Sequence, residues 1–162
     1  MIGMVEDSVI TKEIKEMIGQ ELVPPATREV TKEMIQRFAE AIEDTNPLWQ
    51  DEEFARNSKY GGIIAPPVFL NSLWPEGKNL KAMLDRLAEL ESPLKRTLNG
   101  GQEFEYFQPV RPGDMITVTS RLVDAQEREG KEGKLLFLVA AVAYTNQEEE
   151  LVAKERVTGI RY

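Results

Sequence analysis

Residues 134–146 read KLLFLVAAVAYTN, and residues 151–162 read LVAKERVTGIRY. Both stretches are rich in aliphatic, threonine and aromatic residues with partial alternation, a pattern that is typical of β-strands. Residues 98–108 (LNGGQEFEYFQ) and 115–124 (MITVTSRLVD) have the same character. Turn residues separate the four stretches at Pro112-Gly113-Asp114, at 129–133 and at 146–148, so the C-terminal part of the chain predicts an antiparallel sheet.

The residues before this sheet predict mainly helices, because their apolar side chains recur at helical spacing. Thr31 is expected to cap the second helix, and Pro66-Pro67 suit the first turn of a buried helix that continues through Trp74. Helices followed by an antiparallel sheet predict an α+β fold, with the sheet wrapped around a buried helix in a single domain of residues 1–162. The predicted helices are 8–18, 31–44, 51–57, 66–74 (ended by Pro75-Glu76-Gly77) and 80–90, with a first strand at Thr27–Val30.

The chain has 162 residues, with 20 basic and 28 acidic side chains and a net charge of −8. This acidic balance argues against a nucleic-acid or anionic-membrane partner, because such partners require a basic surface. The chain contains neither histidine nor cysteine, which excludes imidazole catalysis, disulfides and thiolate metal sites. We also predict no metal and no cofactor.

The sequence also gives an expectation for location. No apolar run approaches the roughly 20 residues that cross a bilayer. Acidic side chains are spread through residues 1–23, which is unlike a signal peptide. The chain is therefore predicted to be cytoplasmic and to have no membrane partner.

Two stretches resemble a known family. Residues 44–49 read DTNPLW and residues 61–67 read GGIIAPP, which resembles the signature Asp-x-Asn-Pro-x-His and the glycine-rich lead into the central helix of MaoC-like (R)-enoyl-thioester hydratases. Residues 99–106 (NGGQEFEY) and 109–114 (PVRPGD) are similar to the strand and turn of the N-terminal-half, FAS1-type dehydratase-like branch of that family. Together with the strand-rich end, the resemblance covers nearly the whole chain.

The resemblance implies a hot-dog fold, in which an antiparallel sheet wraps a central helix and two such units pair into a double hot dog. It implies a substrate that is an enoyl or 3-hydroxyacyl thioester of CoA or acyl carrier protein. Family members use the motif aspartate and histidine to activate water, and a backbone N–H at the start of the central helix to polarise the thioester carbonyl. Asp44 and Asn46 match the catalytic motif positions.

The sequence departs from the family at two catalytic positions. Trp49 stands where the motif has histidine, and tryptophan cannot accept a proton. Pro67 stands where the family has a glycine that donates its N–H, so Val68 would have to donate in its place. Asp44 and Asn46 are therefore expected to be vestigial, and the substrate-binding residues implied by the resemblance are Trp49, Gly62, Ile64, Pro67, Val68 and Phe69.

These features predict an acyl-thioester-binding, non-catalytic subunit of a heteromeric (R)-enoyl-CoA hydratase or 3-hydroxyacyl dehydratase. Its expected partner is a second MaoC-like subunit with an intact Asp-x-Asn-Pro-x-His motif, or a second copy of the chain. Two alternatives stay open at this point. The chain could be an autonomous hot-dog enzyme, a thioesterase or a histidine-free hydratase, that uses Asp44 as its base. It could also be a non-enzymatic scaffold for a thiolase-like or DUF35-type partner.

Overall fold

The computed structural model describes residues 8–74 and 80–162, and these residues contain a five-stranded antiparallel sheet. The strands are β1 Ala26–Glu29, β2 Thr97–Tyr106, β3 Met115–Gly130, β4 Gly133–Thr145 and β5 Leu151–Arg161. Their order in the sheet is β1-β3-β4-β5-β2, so the short strand β1 and the long strand β2 form the two edges. The predicted α+β class is confirmed.

Side-chain caps begin most of the helices in the described part of the chain. Thr31 Oγ1 accepts a hydrogen bond from the Met34 N–H at 3.2 Å, which confirms the predicted cap and satisfies one free N–H of the first turn. Asp51 caps its helix in the same way, through the Phe54 N–H at 2.9 Å. The α-helices are α1 Lys12–Met17, α2 Lys32–Ala41, α3 Pro47–Gln50, α4 Glu52–Asn57 and α5 Leu80–Glu89. None of the helices in residues 8–74 and 80–162 has the length and apolarity needed to cross a bilayer.

The helices and the inner face of the sheet enclose one hydrophobic core. The strands contribute every second side chain, for example Ile116, Val118 and Leu122 of β3, because successive strand residues point to opposite faces. The helices contribute their apolar stripes, including Ile35 of α2 and Met83 of α5, both fully buried. Burial of these side chains is the main favourable term in folding.

The predicted helix at 66–74 differs from the structure. Its residues form a short 3₁₀ helix, Pro67–Ser72, whose first bond runs from the Phe69 N–H to the Pro66 carbonyl at 2.9 Å. Consecutive prolines supply no N–H groups for α-helical bonds, which favours this tighter turn. The predicted burial of Phe69, Leu73 and Trp74 is confirmed, and the predicted stop at Pro75-Glu76-Gly77 lies outside the described residues.

Among the other boundaries that shift, two have a clear structural cause. Helix α1 begins at Lys12 rather than Ser8, because the Val9 N–H and the Ser8 hydroxyl donate hydrogen bonds to the Glu127 carboxylate. Strand β3 continues to Gly130, beyond the predicted end at Asp124, because it pairs with β4 along the whole hairpin. Cross-strand pairing therefore holds residues 125–130 extended even though their own pattern is polar.

The predicted turn Pro112-Gly113-Asp114 precedes β3 and forms hydrogen bonds with the residue that follows β1. The Val30 N–H donates to the Asp114 carbonyl and the Gly113 N–H donates to the Val30 carbonyl, both at 2.8 Å. Gly113 has φ 94°, a conformation that glycine adopts readily. These bonds anchor the loop between β2 and β3, residues 107–114, to the residue that follows β1.

Candidate functional site

A cavity of about 280 Å³ lies where the end of β2 meets α3 and the start of the 3₁₀ helix. We call it the binding cavity. Its walls come from three parts of the chain that are far apart in sequence, and most of its surface is apolar. Its described lining residues are Leu48, Trp49, Tyr60, Ile64, Ala65, Pro66, Pro67, Leu70, Tyr106, Phe107, Gln108, Pro109 and Val110.

Backbone hydrogen bonds join these walls. The Ala65 N–H donates to the Val110 carbonyl at 2.8 Å, and the Ile64 N–H donates to the Leu48 carbonyl at 3.4 Å. Residues 64–65 therefore bridge α3 on one side and the segment after β2 on the other. Because buried backbone groups are costly to leave unpaired, these bonds hold the cavity in shape without a ligand.

Asp44 and Asn46 shape the loop that leads into α3. Asp44 Oδ1 accepts a hydrogen bond from the Asn46 N–H at 3.0 Å, and Asn46 Oδ1 accepts one from the Leu48 N–H at 3.0 Å. Gln50 Nε2 donates to the Asp44 carbonyl at 2.9 Å. Neither Asp44 nor Asn46 belongs to the described lining of the binding cavity, so the structure shows both side chains in local turn and capping bonds.

Three of the six predicted binding residues meet at the binding cavity: Trp49, Ile64 and Pro67. Trp49 is 7% exposed, and its Nε1 has no hydrogen-bond partner among the described residues. The other three lie elsewhere. Gly62 lines a small surface pocket beside Arg56 and Pro112, Val68 is exposed, and the Phe69 ring packs edge-on against Phe38 in the core at 5.6 Å.

The polar groups of the binding cavity are few. Tyr60, Tyr106, Gln108 and the indole N–H of Trp49 provide the polar groups of the described lining, which contains no carboxylate, amine or guanidinium. Burial, with a smaller contribution from the Glu155 carboxylate, raises the pKa of the Tyr106 hydroxyl, so it stays protonated at neutral pH. The cavity can thus hold an apolar group and donate a hydrogen bond, but its lining offers no strong base.

A second feature, which we call the polar cluster, lies on the inner face of the sheet and comprises Trp74, Gln102, Tyr144 and Glu155. The Tyr144 hydroxyl donates to Glu155 Oε2 at 2.7 Å and accepts from Trp74 Nε1 at 3.2 Å. Gln102 Nε2 donates to Glu155 Oε1 at 2.9 Å. All four side chains are thereby paired, as buried polar groups generally must be.

Burial changes the acidity of this cluster. Glu155 is 2% exposed, and desolvation raises the pKa of its carboxyl group against the opposing hydrogen bonds from Tyr144 and Gln102. Desolvation and the neighbouring Glu155 carboxylate also raise the pKa of the Tyr144 hydroxyl. Phe104 stacks on both Tyr106 and Tyr144, with ring centroids 5.5 and 6.4 Å apart. Aromatic contacts therefore connect the binding cavity to the polar cluster.

Sequence reasoning missed the polar cluster and much of the cavity wall. The signal for Glu155 was present, because alternation along β5 places it on the same face as Val157 and Gly159. The signal for residues 106–110 was their place in the second stretch that resembles the family. The spatial proximity of Tyr60 had no signal in the sequence.

Comparison with known proteins identifies relatives of similar length and one longer relative. A UPF0336 protein of Thermobifida fusca is 34% identical over 134 residues, which are 83% of this chain and 85% of that protein. A UPF0336 protein of Saccharopolyspora erythraea is 34% identical over 87% of this chain and 86% of that protein. A probable enoyl-CoA hydratase alpha subunit of Thermomonospora curvata is 26% identical over 93% of this chain, which matches 51% of that longer protein.

Solved structures show the same fold. The ChsH1-ChsH2 complex of Mycobacterium tuberculosis contains a chain that superposes with a TM-score of 0.75 at 22% identity, covering 86% of this chain and 83% of that one. The HadBC (3R-hydroxyacyl-ACP dehydratase) complex of the same organism gives 0.66 at 24% identity, with 85% and 91% covered. A MaoC-like dehydratase from Rhodospirillum rubrum gives 0.61 at 23% identity, with 85% and 87% covered. The predicted hot-dog fold is thus confirmed.

The family described as "FAS1-like, dehydratase domain region" matches residues 16–155. That match runs from the end of helix α1 into the first half of β5 and includes both stretches on which the resemblance was based. It also includes the binding cavity and the polar cluster. The chain therefore belongs to the family of FAS1-like dehydratase domain regions.

Proposed function

We propose that this chain is an acyl-thioester-binding, non-catalytic subunit of a heteromeric (R)-enoyl-CoA hydratase or 3-hydroxyacyl dehydratase that acts in the cytoplasm. The observation that carries the proposal is the chemistry of the binding cavity, whose described lining contains no carboxylate, histidine or amine. Adding water across an enoyl thioester requires a base for the water and a proton for the α-carbon. Trp49, at the position of the motif histidine, cannot accept a proton.

The shape and polarity of the binding cavity suit an acyl group. Aliphatic, proline and aromatic side chains form most of its walls, and such surfaces favour apolar ligands over water. Tyr60, Tyr106 and Gln108 supply hydrogen-bond donors at its polar positions. A thioester carbonyl needs one donor of this kind for orientation, so the cavity is suited to binding the acyl end without chemistry.

The relatives support a heteromeric assembly. One relative is named a probable enoyl-CoA hydratase alpha subunit, and two structural neighbours come from complexes of two different chains, ChsH1-ChsH2 and HadBC. We extend this arrangement to the present chain. The second subunit would carry the intact Asp-x-Asn-Pro-x-His motif and supply both the base and the proton donor.

Strand β2 offers the second subunit an edge. It is ten residues long, it pairs with β5 on one side, and most of its side chains are exposed. Glu103 and Glu105 both lie on its exposed face, and neither forms an ion pair among the described residues. Two copies joined through β2 would bring these acidic side chains close together, which is unfavourable. A different subunit with basic residues at this edge fits better.

The test measures hydration of an enoyl-CoA by the loss of enoyl absorbance. We expect no rate above the uncatalysed reaction with this chain alone. Mixing it with a MaoC-like protein that has the intact motif should give activity. Asp44→Asn in this chain should leave the activity of the mixture within about twofold, because Asp44 bonds only to its own loop.

The matched control places the aspartate-to-asparagine change in the partner's motif. That change should lower the rate by about 10²–10⁴-fold, which is the usual contribution of general acid–base catalysis. Hydration by this chain alone that disappears in Asp44→Asn would refute the proposal and assign catalysis to Asp44. An inactive mixture with every intact MaoC-like partner would refute it as well.

A further inference from the structure

A groove of about 620 Å³ lies at the opposite end of the sheet from the binding cavity. We call it the basic groove. It runs between the segment that enters β2, residues 93–96, and the hairpin that joins β3 to β4, residues 130–135. Tyr162 closes one side, and the Arg96 and Tyr162 backbones pair through two hydrogen bonds of 3.0 and 3.1 Å.

The charge of this groove is opposite to that of the protein. The chain as a whole carries a net charge of −8, yet the charged residues that line the groove are Lys95, Arg96, Lys131, Lys134 and a single acid, Glu132. Lys134 is paired with Glu127 at 2.7 Å. The other three cations form no ion pair with any residue of 8–74 or 80–162.

This combination points to a phosphate-bearing ligand. Unpaired cations of like sign repel one another, and a multiply charged anion relieves that repulsion. Arginine and lysine are the side chains that bind phosphate oxygens most strongly. Tyr162 is 43% exposed, and the centroid of its ring lies 5.9 Å from the Arg96 guanidinium carbon. A half-exposed aromatic ring is a surface on which a nucleotide base can stack.

In a complex of two paired subunits, the position of the basic groove brings it close to the cavity of the second subunit. The basic groove lies at the start of β2 and the binding cavity at its end, and ten strand residues of about 3.3 Å separate them by roughly 30 Å. Two subunits of the same fold that join through this edge about a two-fold or pseudo-two-fold axis pair their strands antiparallel. The start of this β2 then lies beside the end of the partner's edge strand, where the partner's own cavity opens.

We propose that the basic groove binds the phosphorylated nucleotide end of a coenzyme A thioester whose acyl end enters the cavity of the partner subunit. Lys95, Arg96 and Lys131 contact the phosphates, and Tyr162 stacks with the adenine. This inference rests on the proposed function and separates two roles of the chain. Its own binding cavity, whose described lining has no base, holds an acyl group without chemistry. The thioester that reacts has its acyl end beside the intact motif of the partner, and this chain holds its nucleotide end. It commits to coenzyme A rather than to a carrier protein, because the half-exposed Tyr162 ring beside the cations suits stacking by a nucleotide base, which a carrier protein lacks.

The probe is adenosine 3′,5′-bisphosphate, titrated into the full chain in a calorimeter. We expect binding that weakens as salt is added, because exposed ionic contacts are screened. The double variant Lys95→Gln/Lys131→Gln should weaken the affinity by about tenfold or more, as expected for loss of charged hydrogen bonds. The control Lys12→Gln/Lys81→Gln removes the same charge from exposed helix positions and should leave the affinity unchanged.

Two further measurements separate the possible outcomes. Adenosine 5′-monophosphate, which lacks the 3′-phosphate of coenzyme A, should bind more weakly than the bisphosphate, and an equal affinity would refute the assignment to coenzyme A. In the active mixture of subunits, Lys95→Gln/Lys131→Gln should raise KM for the enoyl-CoA and leave kcat unchanged. A KM equal to that of the control variant, or no binding of bisphosphate by the chain, would refute the proposal that the basic groove binds the nucleotide phosphates. Bisphosphate binding with no activity in any mixture would refute the proposed function alone.

Discussion

Glu155 places a carboxyl group on the inner face of the sheet, where alternation along β5 otherwise brings apolar side chains. Burial raises the pKa of this carboxyl in the folded protein. The folded state therefore holds its proton to higher pH than the unfolded chain does. By linkage, stability is greatest below the ordinary carboxyl pKa and falls as the pH rises through the interval up to the folded-state pKa.

Glu155→Gln should remove this loss of stability. The neutral amide can still accept from Tyr144 and bond to Gln102, and it avoids burial of a charge. We expect the variant to be more stable than the wild type at pH 7 by about 1 kcal/mol, the lower end of the cost of a buried polar group. The gain should vanish below about pH 4, where the carboxyl is neutral in both states. Urea denaturation across this pH range measures it.

Two further variants are compared with Glu155→Gln. Glu105→Gln, on the exposed face of β2, should change stability little at any pH. Glu155→Leu should destabilise the protein by about 1–3 kcal/mol, because the Tyr144 hydroxyl and the Gln102 amide lose their shared acceptor. A Glu155→Gln variant less stable than the wild type at pH 7 would show that the charged form is the stabilising one.

Near its start, strand β2 contains Gly100, whose position against β5 leaves no room for a side chain. The register between β2 and β5 shifts at Asn99 and Gly101, which marks Gly100 as the extra residue of a bulge. A Cβ atom on Gly100 would lie 2.8 Å from Ile160 Cγ1 and 3.0 Å from the Thr158 carbonyl oxygen. These distances are too short for van der Waals contact, so the close approach of β2 to β5 requires glycine here.

Gly100→Ala should therefore destabilise the protein by about 1–3 kcal/mol, as overpacking typically does. Ile160→Ala removes the side-chain atoms that clash and should restore part of the loss in the double variant, with coupling of about 0.5 kcal/mol or more. The rescue stays partial because the Thr158 carbonyl remains. Urea denaturation of the four proteins gives the coupling.

The matched control is Gly62→Ala, where the nearest atom to a new Cβ is Arg111 Nη1 at 4.0 Å. That variant should lie close to the wild type in stability, since alanine at an unstrained position also restricts the unfolded chain. Equal losses for Gly62→Ala and Gly100→Ala would show that the close packing of Gly100 against β5 is not what matters.

The whole molecule exposes two sheet edges of very different length. Strand β1 has four residues and β2 has ten, and a long edge with free backbone groups is a natural pairing site. If the second subunit adds to β2, the backbone amides of Thr97–Tyr106 that face the free edge gain hydrogen bonds. Those of Ala26–Glu29 gain none.

Hydrogen exchange measured by mass spectrometry tests this arrangement. On mixing with the active partner, peptides from 97–106 should exchange at least about tenfold more slowly, while peptides from 26–29 should stay unchanged. The titration with adenosine 3′,5′-bisphosphate serves as a control, because a ligand in the basic groove should protect residues 93–96 and 130–135 without protecting the centre of β2. Protection of β1 in place of β2 would place the interface on the other edge.

Much of the local structure was accessible from the sequence. Alternation in 115–124, 134–146 and 151–162 predicted three strands that the structure confirms, since side-chain alternation is a property of the strand itself. The cap at Thr31 was predictable for a similar reason, because a hydroxyl at that position needs only the N–H three residues later. The resemblance to a known family predicted the hot-dog fold, which the structural neighbours confirm.

The sequence by itself determined the fold class, the absence of histidine and cysteine, and the tryptophan at position 49. Composition and local periodicity do not depend on contacts between residues that are far apart in the chain. The tertiary structure decided the strand order, the enclosure of the binding cavity by residues 48–49, 60–70 and 106–110, and the burial of Glu155 beside Tyr144. It also decided that the Asp44 side chain bonds to its own loop. Each of these depends on residues far apart in the chain, whose proximity is set by packing and strand register.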